Sequence, residues 1–367
     1  MSGDRLAVVL FQLGGPDSPE AVEPFLYNLF CDPDIIDFPG AFLARKPLAR
    51  FIARRRSGKV AGLYLQIGGK SPILDLTLAQ AAALEARLRP EIDCRVFTAM
   101  RYWKPFTSEA VGAIRSGGFK KIFLLPLYPQ YSKATTLSSM KEWRRASAEG
   151  GLGGVAESSV CCFFNHQSYI RALAGRIDEG LARLNDLPPA EIDIIFSAHG
   201  VPVSLVEAGD PYKLQIEETV RLVLAAGKWS SPHVLCFQSK VGPAEWLRPG
   251  LGETVERLAA AGRKNLLVAP VSFVTDHIET LHEIDIETRE EAMKNGIVRF
   301  EMAGGLNSDP AFISCLADLV KQGVSGSPPG PGHCRRLHEA SGGAAPAGGV
   351  AAPTLCPLWS AAGTRAR

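Results

Sequence analysis

The stretch Glu191-Ile192-Asp193-Ile194-Ile195-Phe196-Ser197-Ala198-His199-Gly200-Val201-Pro202 decides the fold class. Five of its first eight residues are apolar, with Ile194-Ile195-Phe196 in an unbroken run, as in strands covered on both faces of a parallel sheet. Gly200 and Pro202 then stop the strand and force a turn. The imidazole of His199 is thereby delivered to the carboxyl edge of the sheet, where clefts form in open α/β folds. Similar runs occur at Leu6–Leu13, Cys94–Trp103, Lys121–Tyr128, His233–Gln238, Asn265–Phe273 and Val298–Met302. Amphipathic stretches such as Asp75–Arg89, Pro211–Ala226 and Glu253–Ala261 lie between them. Strands alternating with helices predict an α/β architecture with parallel sheets flanked by helices.

The pattern runs twice, so two similar domains with a cleft between them are expected. The first spans 1–150 and the second 151–305. The crossover is placed at Ser147–Asn165, where Gly150, Gly151, Gly153 and Gly154 break the pattern. A helix at 306–321 is expected to pack back on the first domain. From residue 322 to 367 Gly, Ala, Pro and Ser dominate, which reads as a disordered tail.

Composition narrows the function classes. A net charge of only +2 over 367 residues speaks against a general nucleic-acid binder, which carries a basic face. No apolar run approaches the roughly 20 residues that span a bilayer. Met1 to Asp4 lead straight into strand pattern, with no charged segment ahead of an apolar one, so no signal peptide is read. The eight cysteines are scattered without a C-x-x-C pair, which suits reduced thiols in a cytoplasmic protein.

Two segments carry candidate chemistry in the second half. His199 is a base able to accept a proton near neutral pH, or a satisfied strand-end histidine. Asp276-His277-Ile278-Glu279-Thr280-Leu281-His282-Glu283-Ile284-Asp285-Ile286-Glu287 follows the strand at Asn265–Phe273. Asp276 reads as an N-cap with Glu279 three residues on. Glu279, Glu283 and Glu287 then form one helical stripe of carboxylates, which repel each other unless a cation offsets them. With His277 they suit a divalent first-row metal, although a solvated acidic face would look the same.

In the first half, Arg54, Arg55, Arg56 and Lys59 stand beside Phe38, Phe42, Leu43, Leu48 and Phe51. Such a segment suits a membrane surface or a large apolar anion, or is a solvated basic helix. Neither Leu13-Gly14-Gly15-Pro16-Asp17 nor Tyr64-Leu65-Gln66-Ile67-Gly68-Gly69-Lys70-Ser71-Pro72 has the glycine spacing of a nucleotide fingerprint, so no nucleotide cofactor is expected. Arg101, Tyr102, Tyr128, Tyr131 and Trp246 fall at or just beyond strand ends. Aromatic residues converging on one cleft suggest a flat aromatic ligand.

Taken in order, these motifs resemble the ferrochelatase family over roughly residues 5–320. They are Leu13–Asp17, Ile67–Ile73, Tyr128–Ser132, Ser197–Pro202 with Gly209–Tyr212, Gln238–Pro243 and Asp276–Leu281. The resemblance implies two Rossmann-like domains of the chelatase kind, holding a porphyrin between them. It implies insertion of Fe2+, a substrate, into protoporphyrin IX with release of two protons. By the same resemblance His199 takes pyrrole protons and Glu279 is its acidic partner. His199, Glu279, Asp276, His277, Glu283 and Glu287 would handle the metal, on a helix that is partly π-helical. Leu13, Tyr64, Ser71, Arg101, Tyr102, Tyr131 and Trp246 match porphyrin-pocket positions, and Arg55, Arg56 and Lys59 match the lip near the propionates.

Some positions depart from the family pattern. Lys70 stands where many members have Gly, Lys104 where His is common, and Leu137 interrupts a hydroxyl-rich run. Some members carry a [2Fe–2S] cluster. Here Lys133 occupies one ligand position, and Cys334 and Cys356 lie far apart in the tail, so no cluster is expected. The expected location is cytoplasmic, with peripheral contact on the inner membrane. Coproporphyrin as substrate, a cobalt chelatase, and a non-catalytic haem or metal carrier are the rival readings.

Overall fold

The computed structural model describes residues 5–35, 41–242 and 244–325. Phe38 and the tail beyond residue 325 lie outside these, as do the side chains of Phe42 and Leu43. The first half contains β1 (Leu6–Gln12), α1 (Val22–Phe30), α2 (Ala41–Gln66), α3 (Ile73–Leu88), β2 (Cys94–Met100), α4 (Thr107–Ser116), β3 (Lys121–Pro126), α5 (Ser138–Glu149) and β4 (Ala156–Ser159). The second half follows with α6 (Gln167–Ala182), β5 (Ile192–His199), α7 (Val203–Glu207), α8 (Tyr212–Gly227), β6 (His233–Gln238), α9 (Leu251–Ala260), β7 (Asn265–Pro270), α10 (Ile278–Leu281), α11 (Arg289–Lys294) and β8 (Arg299–Met302). Helix α12 (Pro310–Val324) ends the described chain.

Both sheets are four-stranded and parallel, with orders β2-β1-β3-β4 and β6-β5-β7-β8. The two halves therefore repeat one topology. Every residue of β1 and β7 is buried, as strands covered by helices on both faces must be. The main apolar cluster runs through both halves, joining Leu10 and Phe123 to Ile194 and Phe196. Helix α12 seals it from the side, packing on α3, α6 and β3. A Cβ at Gly323 would lie 2.0 Å from the Phe123 ring, so only glycine allows this approach of α12 to β3.

Three expectations need correction. The crossover at Ser147–Asn165 contains a strand, β4, pairing with β3. It is short and half-exposed, Ala-Glu-Ser-Ser in composition, so no apolar run marks it. The tail expected from residue 322 onward loses its first residues to a helix, because Gln322, Gly323 and Val324 complete α12. Asp276 is not the N-cap of the acidic helix. His277 holds that place, and the Asp276 carboxylate instead accepts from Thr280 Oγ1 at 3.1 Å, a side chain four residues on.

The carboxyl edges of the two sheets face one another. Gln80 on α3 donates through Nε2 to Thr275 Oγ1 (3.1 Å), Val274 O (3.3 Å) and Asn307 O (2.9 Å). Gln130, beyond β3, donates to Thr219 Oγ1 and Val271 O, both at 3.1 Å. Buried amides thus clamp the halves together where their loops meet. Leaving any of these groups unpaired would cost about 1–3 kcal/mol.

Candidate active site

His199 is the last residue of β5, held by its backbone. Its N–H donates to Ser272 Oγ at 2.9 Å, and its carbonyl accepts from Tyr212 OH at 2.9 Å. Gly200 must be glycine, since a Cβ there would come within 2.9 Å of Gln238 O and 3.1 Å of the Trp246 ring. His199 Nδ1 lies 2.5 Å from Gly200 O, so Nδ1 carries a proton and donates it. The lone pair of the neutral ring then sits on Nε2, which faces Glu279 Oε2 at 3.6 Å.

Glu279 stands in the first turn of α10, its carbonyl accepting from Gln238 Nε2 at 2.9 Å. Oε2 also faces His277 Nε2 at 3.8 Å and has no hydrogen-bond partner. Burial alone would raise this carboxyl. The His199 charge, the contact and charge of His277, and the Ser239 hydroxyl outweigh it and hold the pKa at about 2. His277 is buried against Phe273, ring centroids 4.5 Å apart, and donates Nδ1–H to Thr275 O at 3.0 Å. Burial would lower its pKa, yet Glu279 beside it carries it above the ordinary value.

The acidic row leads outward from this point. After α10 the helix widens into a π-turn at Glu283–Thr288, with Glu287 N–H reaching back five residues to His282 O at 2.9 Å. Such turns often mark functional sites. Glu283 is anchored by Ser239, whose N–H and Oγ–H donate to its two oxygens at 2.7 and 2.5 Å. Ser239 does this at φ 66°, a left-handed conformation that non-glycine residues adopt at some cost. Burial and the Glu279 charge raise the Glu283 pKa despite these bonds. Glu287 is exposed and, with Glu283 and Glu291, lines a cavity of about 430 Å³ opposite Trp246 and Arg248. The row thus passes from a buried carboxylate between two imidazoles to a solvated one at a cavity mouth. Asp276 stands apart from it, its oxygens also taken by Asn307 Nδ2 (2.8 Å) and Gly305 N (3.2 Å). Among the described residues no three His, Cys, Asp or Glu side chains form a ready-made metal cage.

The opposite wall comes from the first half. Tyr64, near the end of α2, is buried close enough for the Glu279 charge to raise its hydroxyl pKa, second to burial. Ser71 packs against Gly15, where a Cβ would meet its Oγ at 2.6 Å, and Leu13 is half-buried beside them. Trp246 lies 6.4 Å from the His199 ring, and its indole N–H has no partner. Tyr102 and Tyr131 are buried rather than presented to a cleft. Tyr102 OH donates to Asp32 Oδ2 at 2.7 Å, and Arg101 donates to the same oxygen at 2.8 Å and to Ser138 Oγ at 2.8 Å. Arg55, Arg56 and Lys59 are exposed on α2, alongside Phe51 and Leu65, which are 62% and 63% exposed.

The sequence reading missed Asp32 and Gln80: Asp32-Pro33-Asp34 looks like an ordinary surface turn, and Gln80 carries no local signal. Ser239 lies within the motif Gln238–Pro243, which marked the end of β6 but assigned Ser239 no role.

Comparisons with known proteins find relatives over nearly the whole described chain. A family model described as Ferrochelatase matches residues 5–324. A ferrochelatase of Geobacter metallireducens is 52% identical over 319 residues, covering 87% of this chain and 98% of its own length. One of Geotalea uraniireducens is 50% identical over 322 residues, covering 88% and 99%. Among solved structures, SirB from Bacillus subtilis with Fe3+ aligns with a TM-score of 0.52 at 11% identity, covering 88% of this chain and 97% of its own, a likeness of fold.

Proposed function

The chain belongs to the ferrochelatase family, lyases that insert a metal ion into a porphyrin, and we propose that His199 takes the pyrrole protons while Glu279, Glu283 and Glu287 conduct the iron. The enzyme works in haem biosynthesis, with a porphyrin and ferrous iron as substrates. The observation that carries the residue assignment is the unpartnered Glu279 Oε2, 3.6 Å from the proton-accepting nitrogen of His199.

A free-base porphyrin holds two N–H protons inside a flat ring, so iron enters only if the ring distorts. Binding of its large apolar face between the two walls supplies energy for that distortion. One pyrrole proton then passes to His199 Nε2, and the carboxylate of Glu279 stabilises the imidazolium that forms. Fe2+ sheds water against Glu287 and Glu283, then Glu279, and bonds the ring nitrogens as the second pyrrole proton follows the first through His199, which passes each on to solvent. His277, hydrogen-bonded to Thr275 O, fixes Glu279 from behind. Asp276 serves this reading by holding the loop at Gly305 and Asn307 rather than by touching iron.

Protoporphyrin IX is the substrate that the exposed apolar face of α2 favours, and in this reading the exposed Arg55, Arg56 and Lys59 meet its propionates. The same face suits peripheral contact with a lipid surface; no described helix is long and apolar enough to cross a membrane. The reading includes no [2Fe–2S] cluster. Lys133 Nζ donates to Ala208 O at 3.4 Å where some members have a cysteine, and Cys334 and Cys356 lie outside the described residues.

The test is anaerobic metalation with Fe2+ followed by porphyrin absorbance. His199→Ala should keep porphyrin binding and lose on the order of 10²–10⁴ in kcat, the range of general-base catalysis. Near-normal turnover at saturating porphyrin removes His199 from its role.

A further inference from the structure

The carboxylates of the acid row are held in unequal ways. Glu283 is gripped at both oxygens by Ser239, whereas Glu279 Oε2 has no hydrogen-bond partner. The place of the Glu279 carboxylate therefore depends on its main chain. Helix α10 is a single turn of four residues, too short to hold its own geometry, and the wider π-turn follows it at once. The turn needs an anchor from outside, and Gln238 supplies one.

Gln238 is the last residue of β6, in register with His199 on β5, and is buried. Its carbonyl accepts from Gly200 N–H at 2.8 Å, directly beyond the histidine. Its side chain spans the gap between strand and helix. Nε2 donates to Glu279 O at 2.9 Å, and Oε1 accepts from Ser197 Oγ at 2.6 Å. A carbonyl oxygen only accepts, so the amide nitrogen must face Glu279, and the Ser197 hydroxyl holds the amide in that sense. We propose that Gln238 is a positioning residue for metal insertion, setting the separation of His199 and Glu279 by tying the main chain of the acid helix to the strand that carries the histidine. The proposal rests on the roles given to His199 and Glu279 above and adds the part that keeps them 3.6 Å apart. A misplacement of about 1 Å can cost on the order of a hundredfold in rate, so loss of the tether acts on kcat more than on porphyrin binding.

Anaerobic Fe2+ metalation is followed for the full-length parent, Gln238→Leu, Glu279→Gln and the double variant, each checked for a parent-like circular dichroism spectrum. Gln238→Leu should lower kcat by about tenfold or more, with KM for porphyrin within about twofold of the parent. Added to Glu279→Gln, the same change should cost less than about twofold, because a residue acting through Glu279 has nothing left to position. Gln238→Glu tests for rescue, and decides alone if Gln238→Leu does not fold. Its protonated carboxyl accepts from Ser197 and donates to Glu279 O, whereas its ionised form donates nothing. Burial and the charges of Glu279 and Glu283 favour the protonated form, so its kcat relative to the parent should rise about fivefold or more from pH 8 to pH 6. Parent-like kcat in folded Gln238→Leu, an equal loss in both backgrounds, or a flat ratio for Gln238→Glu overturns the proposal and leaves the roles of His199 and Glu279 in place. Near-normal turnover of Glu279→Gln removes those roles and the proposal with them.

Discussion

Replacing Glu279 by Gln should move the acid limit of this protein upward by about two pH units. In the parent the Glu279 carboxyl sits at about 2 instead of near 4.5. That displacement corresponds to about 3 kcal/mol. The side chain is 26% exposed, so solvent screening trims this toward about 2 kcal/mol. Because the folded-state pKa is depressed, the contribution is present above about pH 4.5 and fades as pH falls toward 2. His277 behaves oppositely: its raised folded value contributes stability below pH 6.5 that is lost as pH rises through that value. In the Gln variant the main influence left on His277 is burial, which pushes the imidazole below 6.5. A buried neutral imidazole must then charge on acidification, so the variant loses stability as pH falls below 6.5. The assay is the thermal midpoint by circular dichroism from pH 4.5 to 8. The parent should be flat or slightly rising between pH 7 and 5, while the variant drops on the order of 5 °C. Parallel profiles for the two proteins across pH 5–7 would refute the reasoning.

The Asp32 hub and the α2 face make two further predictions. Asp32→Ala leaves Arg101 without its buried carboxylate, and removing one partner of such a pair costs about 3–5 kcal/mol. Chemical denaturation should show that loss, and a change below about 1 kcal/mol would mean that the hub does not hold the wall. Phe51→Glu replaces apolar surface on the exposed face of α2 with a charge of the same sign as the lipid. Sedimentation with anionic phospholipid vesicles should fall severalfold, and unchanged sedimentation argues against that face as the lipid contact.

The structure also separates what the chain spells locally from what folding decides. Both parallel sheets were legible because their inner strands are continuous apolar runs, and such runs report burial on both faces directly. His199 was legible because Gly200 and Pro202 follow it within three residues and end its strand, and the acid row because three glutamates repeat at a fixed interval. Each of these signals lies within one element. Folding alone decided that Glu283 would be held by Ser239, 44 residues away, and Asp32 by Arg101, 69 residues away. It also decided that Gln80 would clamp Thr275 across 195 residues. Strand β4 was invisible because an edge strand of four half-exposed residues needs no apolar pattern. The physical reason is the same throughout: hydrophobic periodicity is written along the chain, whereas polar contacts between distant segments leave no period to read.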